Sequence, residues 1–594
     1  MPDLSNTAIA DAFEELGDLY ELDGAIVHRV LAYRTAAKTV REAAVSVAAL
    51  AREGRATELA GIGKTLEEKI LALIDTGTIP AAERLRAKFP PGLIALTRLP
   101  GLGPKRARLL YEQLGIDSLG ALREAALGQR LRTVKRLGPR FEASILAALE
   151  ALPDEAAVDA RGIPVRTRRL LLPAGLELGA ALIAGLRECG PQDAQAQIAG
   201  SARRGADSLK DLDLVAVTAS PAALARCFGD LEQIESVSSS GESGARGRTH
   251  SGVAVDLRIA APEQLGNLLQ HFTGSGAHNA ALRTRAVRRD QHVSEYGIVE
   301  DGGATTRTCR TEAEVYELLE LPYIEPELRE DRGELTKSLP SLIELGDIRG
   351  DLHCHTVASD GRATISEMAL AARARGYEYL AITDHSASHG FGNDVSPAEL
   401  RRQIERIAEV DAGLQDMRLL AGSEVNILPD GSLDYEDELL EQLDWVVASV
   451  HTAFGMDEQR MTERMIAAIE HPLVDVIGHP TGRLIERREP YALDLEAIFA
   501  AAARTGTLLE INANPDRRDL SELYARAAVA AGVGIAIDSD AHRTDTLGNM
   551  RWGVLTARRG WLTAVDVANT RPWHELERLR KRTRRSHGAS PGAH

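Results

Sequence analysis

The chain has 594 residues, of which 44% are apolar and 26% charged, and its formal net charge is −17. This composition is typical of a folded globular protein and excludes a chain that is disordered throughout, while the length predicts about three to five domains. The four cysteines have no repeated spacing, the first residues lack a basic segment followed by an apolar run, and the longest apolar stretch, 170–186, contains Pro173 and Glu177. We therefore expect a cytoplasmic protein without a disulfide framework, a signal peptide or a membrane span.

Residues 1 to about 85 are predicted to be helical, because Ala, Leu, Glu and Arg recur at helical spacing. An apolar-x-Gly-apolar-Gly pattern opens a helix at 59–63 and again at 99–103. It is typical of a helix-hairpin-helix element, whose exposed backbone N–H groups bind a phosphate without regard to sequence. A single Gly-x-Gly also ends ordinary helices. Two copies of the motif, each followed by basic residues, favour binding to duplex DNA. The predicted DNA-binding residues are Gly61, Gly63, Lys64, Gly101, Gly103 and Lys105.

The acid excess does not argue against a DNA partner, because local charge decides binding. Residues 91–150 contain ten Lys or Arg and five Asp or Glu. A basic surface is therefore predicted in this region.

Gly200-Ser201-Ala202-Arg203-Arg204 precedes an apolar strand that begins with Asp211-Leu212-Asp213. Residues two apart in a strand point to the same face, so the two carboxylates lie side by side and favour a divalent cation between them. A third carboxylate, Asp256, lies on another apolar strand. Asp-x-Asp alone would more often be a solvated strand edge. Together with the Gly-Ser turn and the third acid, it indicates a two-metal nucleotidyl-transfer site.

This segment resembles the palm of the family X DNA polymerases. His271-Phe272-Thr273-Gly274-Ser275 with Asn279 and Arg283 resembles that family's nucleotide-selecting motif, and 294–297 and 329–333 resemble its thumb. The resemblance implies that Gly200, Ser201 and Arg204 hold the triphosphate, that Asp211, Asp213 and Asp256 hold two Mg²⁺ or Mn²⁺ ions, that Phe272, Gly274 and Asn279 line the sugar and base, and that Arg283 lies near the template. Lys210 stands where the family usually has Gly, and His271 stands where Tyr is common. Both departures bear on rate and sugar selectivity.

The same resemblance makes Lys69 a candidate nucleophile for a deoxyribose-phosphate lyase, with Tyr33 and Arg34 as the accompanying Tyr-Arg pair. A Schiff base requires an unprotonated amine. The alternative is that Lys69 is an ordinary phosphate contact.

From about residue 347, short apolar runs alternate with helical segments, which predicts an α/β fold with a parallel sheet. Almost every run ends in a potential metal ligand, and the ends of parallel strands meet at one edge of a barrel. One histidine alone would more often be a core or surface residue, but nine such residues indicate a metal site. They are His353, His355, Asp360, His385, Glu424, His451, His479, Asp540 and His542.

This region resembles the polymerase and histidinol phosphatase (PHP) domain that bacterial members of family X carry at the C-terminus. The resemblance implies up to three Zn²⁺ or Mn²⁺ ions and phosphoester hydrolysis. The first ion would be held by His353, His355, Glu424 and Asp540, the second by Glu424, His451 and His479, and the third by Asp360, His385 and His542. Arg483 is a candidate phosphate contact, and Cys354 is expected to point away from the metals.

The predicted organisation is multidomain: a helical lyase-like domain with a helix-hairpin-helix (1–85), a helical fingers subdomain with a second one (86–153), an α+β nucleotidyltransferase palm (154–262), a thumb (263–337), a distorted (β/α) barrel of the PHP type (347–575) and a disordered basic tail (576–594). For the tail, a solvated helix end is the alternative.

The predicted function is gap-filling DNA synthesis in repair, coupled to a 3′–5′ exonuclease, by a monomer that uses gapped or nicked duplex DNA and deoxynucleoside triphosphates. One alternative is an inactive palm that serves as a DNA-binding scaffold beside an active phosphoesterase. Another is a DNA-end-binding module without catalysis. For the hydrolase, exonuclease, 3′-phosphatase and abasic-site endonuclease activities stay open, because all three attack a phosphoester.

Overall fold

A computed structural model describes residues 4–43, 45–97, 99, 102–135, 137–150, 169–300, 305–389 and 393–581. Gly101, the predicted boundary at 153 and the tail beyond 581 lie outside the described residues. Two compact units are present. The first comprises described residues within Met1–Leu170, Glu177–Ile198 and Lys210–Pro262, and the second those within Leu171–Leu176, Ala199–Leu209 and Glu263–His594.

The N-terminal part of the first unit is helical, as predicted. Ser5 caps the first helix by accepting a hydrogen bond from the Ala8 N–H, and the buried Phe13 and Leu16 belong to one apolar core. A second core lies around Leu110 and Leu122. The helices are α1 (Asn6–Leu22), α2 (Val27–Glu42), α3 (Val47–Arg52), α4 (Lys64–Thr76), α5 (Pro80–Arg86), α6 (Pro91–Leu96), α7 (Pro104–Leu114), α8 (Leu119–Leu127) and α9 (Pro139–Glu150).

A five-stranded sheet follows in the first unit, with the strand order β2-β4-β7-β6-β5. Strands β4 and β7 run parallel, and the other neighbouring pairs are antiparallel. In chain order, the elements from residue 170 to 260 are β1 (Leu170–Leu171), α10 (Leu172–Cys189), β2 (Gln195–Ile198), α11 (Gly200–Arg203), β3 (Ser208–Leu209), β4 (Asp211–Val217), α12 (Pro221–Gly229), β5 (Ile234–Gly241), β6 (Gly244–Thr249) and β7 (Ala254–Ala260). Of these, α11, β3 and the first residues of α10 belong to the second unit.

No disulfide framework was expected, and the described residues contain one disulfide that the sequence did not predict. Cys189, at the end of α10, is bonded to Cys227 in α12, with the two Cα atoms 5.7 Å apart. The two residues are 38 positions apart in sequence, and only the packing of α10 and α12 brings them together. Cys309 and Cys354 are free thiols, and both are buried.

The second unit contains the predicted thumb. Its three short strands form an antiparallel sheet in the order β10-β9-β8, and Val315, Tyr316 and Ile298 lie in its core. The elements are α13 (Leu265–Thr273), α14 (Gly276–Val287), β8 (His292–Ser294), β9 (Gly297–Glu300), β10 (Thr305–Arg307) and α15 (Glu312–Leu318).

A seven-stranded parallel sheet forms the C-terminal part, and its strands follow one another in chain order from β11 to β17. A parallel bridge between Cys354 and Ala541 joins the ends of the first and last strands, so the sheet curls into a nearly closed barrel. The predicted strands are confirmed. The elements are β11 (Gly350–Asp351), α16 (Ile365–Ala374), β12 (Tyr379–Ile382), α17 (Pro397–Asp411), β13 (Arg418–Asn426), α18 (Asp437–Leu440), β14 (Trp445–Ser449), α19 (Glu458–Glu470), β15 (Val476–Ile477), α20 (Leu495–Thr505), β16 (Leu508–Asn512), α21 (Glu522–Ala530), β17 (Ile535–Asp538), α22 (Met550–Arg559) and α23 (Trp573–Leu576).

The strands of this barrel alternate between two apolar cores. One set of side chains packs with the helices, and the other, which includes Leu420 and Val447, forms a smaller core with Leu576. The predicted disorder from residue 576 onward is wrong for the first residues of the tail. The Lys581 Nζ donates hydrogen bonds to the carbonyls of Ile469 and His471. Within the described residues, no helix is long and apolar enough to cross a membrane.

Candidate metal centre

The nine predicted ligands lie at the same edge of the barrel, because parallel strands present their carboxyl ends together. Seven of the nine side chains are buried, and Asp360 and His542 are about one-third exposed. His353 and His355 follow β11, Asp360 lies in the loop after them, His385 follows β12, Glu424 lies in β13, His451 follows β14, His479 follows β15, and Asp540 and His542 follow β17.

Glu424 is the centre of the group. Its Oε1 lies 2.9 Å from His479 Nε2 and 3.2 Å from His451 Nε2. Its Oε2 lies 2.8 Å from His385 Nδ1, and at 3.4 and 3.6 Å from the Nε2 atoms of His353 and His355. One carboxylate therefore touches five imidazole rings, as a bridging ligand would.

Two further carboxylates complete the cluster. Asp540 Oδ1 lies 3.1 Å from His355 Nε2, and Asp360 Oδ1 lies 3.2 Å from His542 Nε2. Three groups have ligand atoms within 4.8 Å of one another: His355, Asp360, His385 and His542; His353, His355 and Asp540; and His385, Glu424 and His451. These groups contain eight of the nine predicted ligands, all except His479, and they divide them differently from the three predicted sets.

The carboxylates are ionised within this cluster. Burial opposes the charge on Glu424, but the neighbouring His451 and His385 hold the pKa of its carboxyl well below the usual value. Burial likewise opposes the charge on Asp540, and His353 is the main cause that keeps its pKa well below the usual value. The cluster thus presents deprotonated oxygens next to imidazole nitrogens, a donor set that suits Zn²⁺ or Mn²⁺.

The residues fit divalent ions in a second respect. The buried His353 Nε2 and His355 Nδ1 have no hydrogen-bond partner among the described residues. An unsatisfied buried nitrogen is costly unless a ligand compensates for it. His479 and Asp540 also have positive φ angles of 29° and 51°, a backbone strain that is typical of functional sites.

Glu510, on β16, was not predicted as a site residue. Its Oε1 lies 2.7 Å from His353 Nδ1, and its Oε2 accepts the backbone N–H of His479 at 2.5 Å. It therefore orients one candidate ligand through the ring and another through the main chain. The sequence signal was weak, because Glu510 lies within an apolar strand run and not at the end of it.

We expect Glu510→Gln to weaken metal retention about 10- to 100-fold, which is the usual cost of losing a partner that orients a metal ligand. The amide keeps the shape of the side chain but cannot accept from His353 and His479 as a carboxylate does. The measurement is a competition titration of the bound metal with a chelator. The same affinity as in the unsubstituted protein would contradict this role.

Two other polar groups support the ligands from behind. The Asn512 amide donates to Asp540 Oδ2 at 3.1 Å. Asp384 accepts hydrogen bonds from Thr356 and Ser359, and so fixes the loop that carries Asp360. Sequence reasoning missed both roles, since they depend on contacts between distant loops.

Arg483 is held by the packing of the loops. Its guanidinium lies 2.9 Å from the Asp207 carboxylate and also donates to the Arg518 carbonyl. Its contact with a phosphate stays a prediction.

The three predicted polymerase aspartates lie on adjacent parallel strands of the first unit. Asp213 in β4 is the register partner of Asp256 in β7, and Asp211 precedes Asp213 on the same strand face. Asp256 forms ion pairs of 3.0 Å with Arg246 and Arg258. The juxtaposition of acids is the one predicted for a two-metal site, and these arginines were not anticipated.

Gly200, Ser201 and Arg204 belong to the second unit. Gly200, with φ of 59°, opens the short helix α11 where a turn was predicted, and Ser201 lies within it. The Arg204 Nε donates to Glu330 at 2.9 Å. Its role in holding a triphosphate stays a prediction.

The predicted nucleotide-selecting residues surround the junction of α13 and α14. The buried Asn279 donates to the carbonyls of His271 and Gly274, and a Cβ on Gly274 would lie 2.6 Å from the Asn279 side chain. Phe272 is half-buried beside His271, and Arg283 is exposed on α14. The motif is therefore brought together, and its contact with a nucleotide stays a prediction.

The two hairpin glycines Gly63 and Gly103 are the N-caps of α4 and α7. Among the described residues other than the chain neighbours, no atom comes within 4 Å of a Cβ placed on either glycine, so a phosphate could approach the backbone closely. Gly61 has φ of 85°, which favours glycine, and Lys64 and Lys105 are both exposed.

Lys69 lies on α4, half-buried, and its Nζ donates to the Thr65 carbonyl at 3.3 Å. Tyr33 stacks on Tyr20, and Arg34 pairs with Asp18 and Glu21. The lyase role stays a prediction.

Comparisons with known proteins agree with this architecture. Residues 5–79 match the helix-hairpin-helix domain, 93–151 a SAM-like helix-hairpin-helix tandem, 268–330 the DNA polymerase beta thumb and 351–514 the PHP domain. The chain is 36% identical over 573 residues to the Bacillus subtilis protein named DNA polymerase/3′-5′ exonuclease PolX, covering 96% of this chain and 98% of the relative. A probable phosphatase of Thermoanaerobacter sp. (strain X514) is 32% identical over 256 residues, 40% of this chain and 97% of the relative.

Proposed function

This chain belongs to the family X DNA polymerases that carry a C-terminal PHP domain, and from that membership we propose that it fills short gaps in DNA and trims 3′ ends at a second site. The observation that carries the nuclease proposal is the set of nine ligand residues around Glu424. The polymerase proposal rests on three aspartates on neighbouring strands, together with similarity over nearly the whole chain. The substrates are gapped or nicked duplex DNA and deoxynucleoside triphosphates.

In the polymerase reaction, the primer 3′-hydroxyl attacks the α-phosphate of the incoming nucleotide, and pyrophosphate leaves. Asp211, Asp213 and Asp256 would hold two Mg²⁺ or Mn²⁺ ions, and Asp256 would take or orient the proton of the hydroxyl. Arg246 and Arg258 keep the Asp256 carboxylate in place on β7. In a palm that only bound DNA, three carboxylates without metal ions would repel the phosphates of the DNA. An inactive palm is therefore not favoured.

In the nuclease reaction, a water oxygen bonds to phosphorus, the bond to the 3′-oxygen breaks, and a nucleoside 5′-monophosphate is released while the shortened strand regains a 3′-hydroxyl. Divalent ions supply charge neutralisation at the phosphate and lower the pKa of the attacking water. The nine residues of the barrel would hold Zn²⁺ or Mn²⁺, and Glu510 keeps the His353 ring and the His479 main chain oriented.

A 5′-labelled primer on a one-nucleotide-gapped duplex, incubated with Mn²⁺ with and without deoxynucleoside triphosphates, tests both activities at once. We expect extension with nucleotides and shortening without them. Shortening without any extension would overturn the polymerase proposal, and extension without shortening would overturn the nuclease proposal.

The two hairpins are proposed to grip the DNA backbone on either side of the gap. For Lys64→Ala/Lys105→Ala, we expect weaker DNA binding and a plot of log K against log salt that is shallower by about 0.9 for each lysine that contacts a phosphate. Lys88→Ala is the matched control, because Lys88 is exposed on the same unit and pairs with Asp23. An unchanged salt dependence in the double variant would contradict the assignment.

A further inference from the structure

Five arginines lie in the two loops that follow β15 and β16, beside the metal cluster. Four of them have partners: Arg483 binds Asp207; Arg487 binds Asp516; Arg488 donates to the Gly482 carbonyl and lies over the Phe454 ring; and Arg518 binds Thr556, Gly205 and Asp207. These contacts hold the four guanidinium groups against the loops, although Arg483 Nε and one terminal nitrogen of Arg518 are buried without a hydrogen-bond partner among the described residues.

Arg517 differs from them. Within the described chain its side chain makes no hydrogen bond, and its Nη1 is buried without a partner. Its Nε lies 4.0 Å from Asp540 Oδ2, and the side chain is 21% exposed. A guanidinium has five N–H donors, and leaving a buried one unsatisfied is costly. An acceptor from outside the protein would offset that cost.

The position of Arg517 indicates which acceptor this is. The loop that carries Arg517 follows β16, which lies between β15 and β17 in the sheet, and the Arg517 Nε lies 4.0 Å from Oδ2 of the candidate ligand Asp540. The guanidinium therefore lies at the rim of the cluster, where the phosphate of a substrate must sit.

We propose that Arg517 binds the scissile phosphate of the nuclease, donating to its non-bridging oxygens while the cluster holds the same group from the other side. This inference rests on the proposed nuclease function. The planar guanidinium can donate two parallel N–H bonds to two phosphate oxygens. Negative charge develops on these oxygens in the transition state, and the donors that face it stabilise that state. Arg517 is thus a catalytic residue. A protein carboxylate hydrogen-bonded to its guanidinium would compete with the substrate phosphate for the same donors.

The test compares Arg517→Met and Arg517→Lys with Arg487→Met as the matched control, an exposed arginine of the adjacent loop. The assay is shortening of a 5′-labelled single strand with Mn²⁺. We expect Arg517→Met to lower kcat/KM roughly 100-fold, the usual cost of removing one such donor. Arg517→Lys should recover part of the lost kcat/KM, because lysine keeps the positive charge but cannot donate two parallel hydrogen bonds. Arg487→Met should act like the unsubstituted protein.

Two further measurements separate phosphate binding from a structural role. Bound metal, counted by mass spectrometry, should be the same in all variants. Binding of thymidine 5′-monophosphate to the Mn²⁺-loaded protein, followed by calorimetry, should weaken at least several-fold in Arg517→Met alone. Unchanged kcat/KM, or metal lost together with activity, would overturn the proposal. If the unsubstituted protein shortens no strand, the nuclease proposal fails, and the monophosphate titration still decides whether Arg517 binds phosphate.

Discussion

Glu424→Gln is expected to lower the nuclease rate at least about 100-fold, because metal-ion charge stabilisation supplies several kcal/mol and about 1.4 kcal/mol is a tenfold change in rate. Glu424 is buried, and its two oxygens approach five imidazole rings. The amide keeps the size of the side chain but removes the charge that bridges the cluster. The measurement is strand shortening without nucleotides, together with the content of bound metal.

Glu441→Gln is the control for this substitution, since Glu441 is an exposed carboxylate just after α18 in the same barrel. Primer extension with nucleotides should be unaffected in both variants. A Glu424→Gln protein that shortens DNA at the full rate would show that the barrel cluster is not the nuclease site.

Asp211→Ala is expected to lower primer extension at least about 100-fold by the same reasoning about metal-ion charge, while shortening persists. Asp211 is exposed at the start of β4, so its replacement leaves the core of the sheet intact. It shares a strand face with Asp213, which pairs with Asp256 in the register of β4 and β7. The measurement is the length of the products from the gapped primer, with nucleotides to follow extension and without them to follow shortening.

Asp230→Ala serves as the matched control, because Asp230 is an exposed acid at the end of α12 in the same unit. Opposite phenotypes of Asp211→Ala and Glu424→Gln would establish two independent active sites. Full extension by Asp211→Ala would contradict the assignment of the aspartates.

The candidate ligands were predictable because almost every short apolar run is followed by one, and parallel strands bring their ends together. Glu510 and Arg517 were not predictable for a physical reason. Glu510 lies inside β16 and resembles any strand residue, and Arg517 is one of two adjacent arginines that only tertiary contacts distinguish. The pairing of Arg483 with Asp207 was not predictable either, since the sequence suggested only a phosphate contact for this arginine.

The disulfide and the position of the first tail residues were not predicted for the same reason, which is that both depend on tertiary contacts. The pairing of Cys189 with Cys227 depends on how α10 and α12 pack, which no local pattern in the sequence records. Lys581 belongs to a basic segment that looks like a solvated tail, yet its ammonium binds carbonyls at the end of α19. Patterns of charge predict exposure only where no neighbouring carbonyls compete for the side chain.

The closure of the barrel has a consequence for how the protein is made. The bridge between Cys354 and Ala541 places the first candidate ligands beside the last ones, about 190 residues later, a stretch that a ribosome translates in roughly 10 to 40 seconds. The palm sheet is complete well before Asp540 and His542 emerge. A nascent chain can therefore acquire a folded polymerase sheet while the nuclease is still missing two of its ligands. A message cut short before codon 540 would yield a protein that lacks the trimming site.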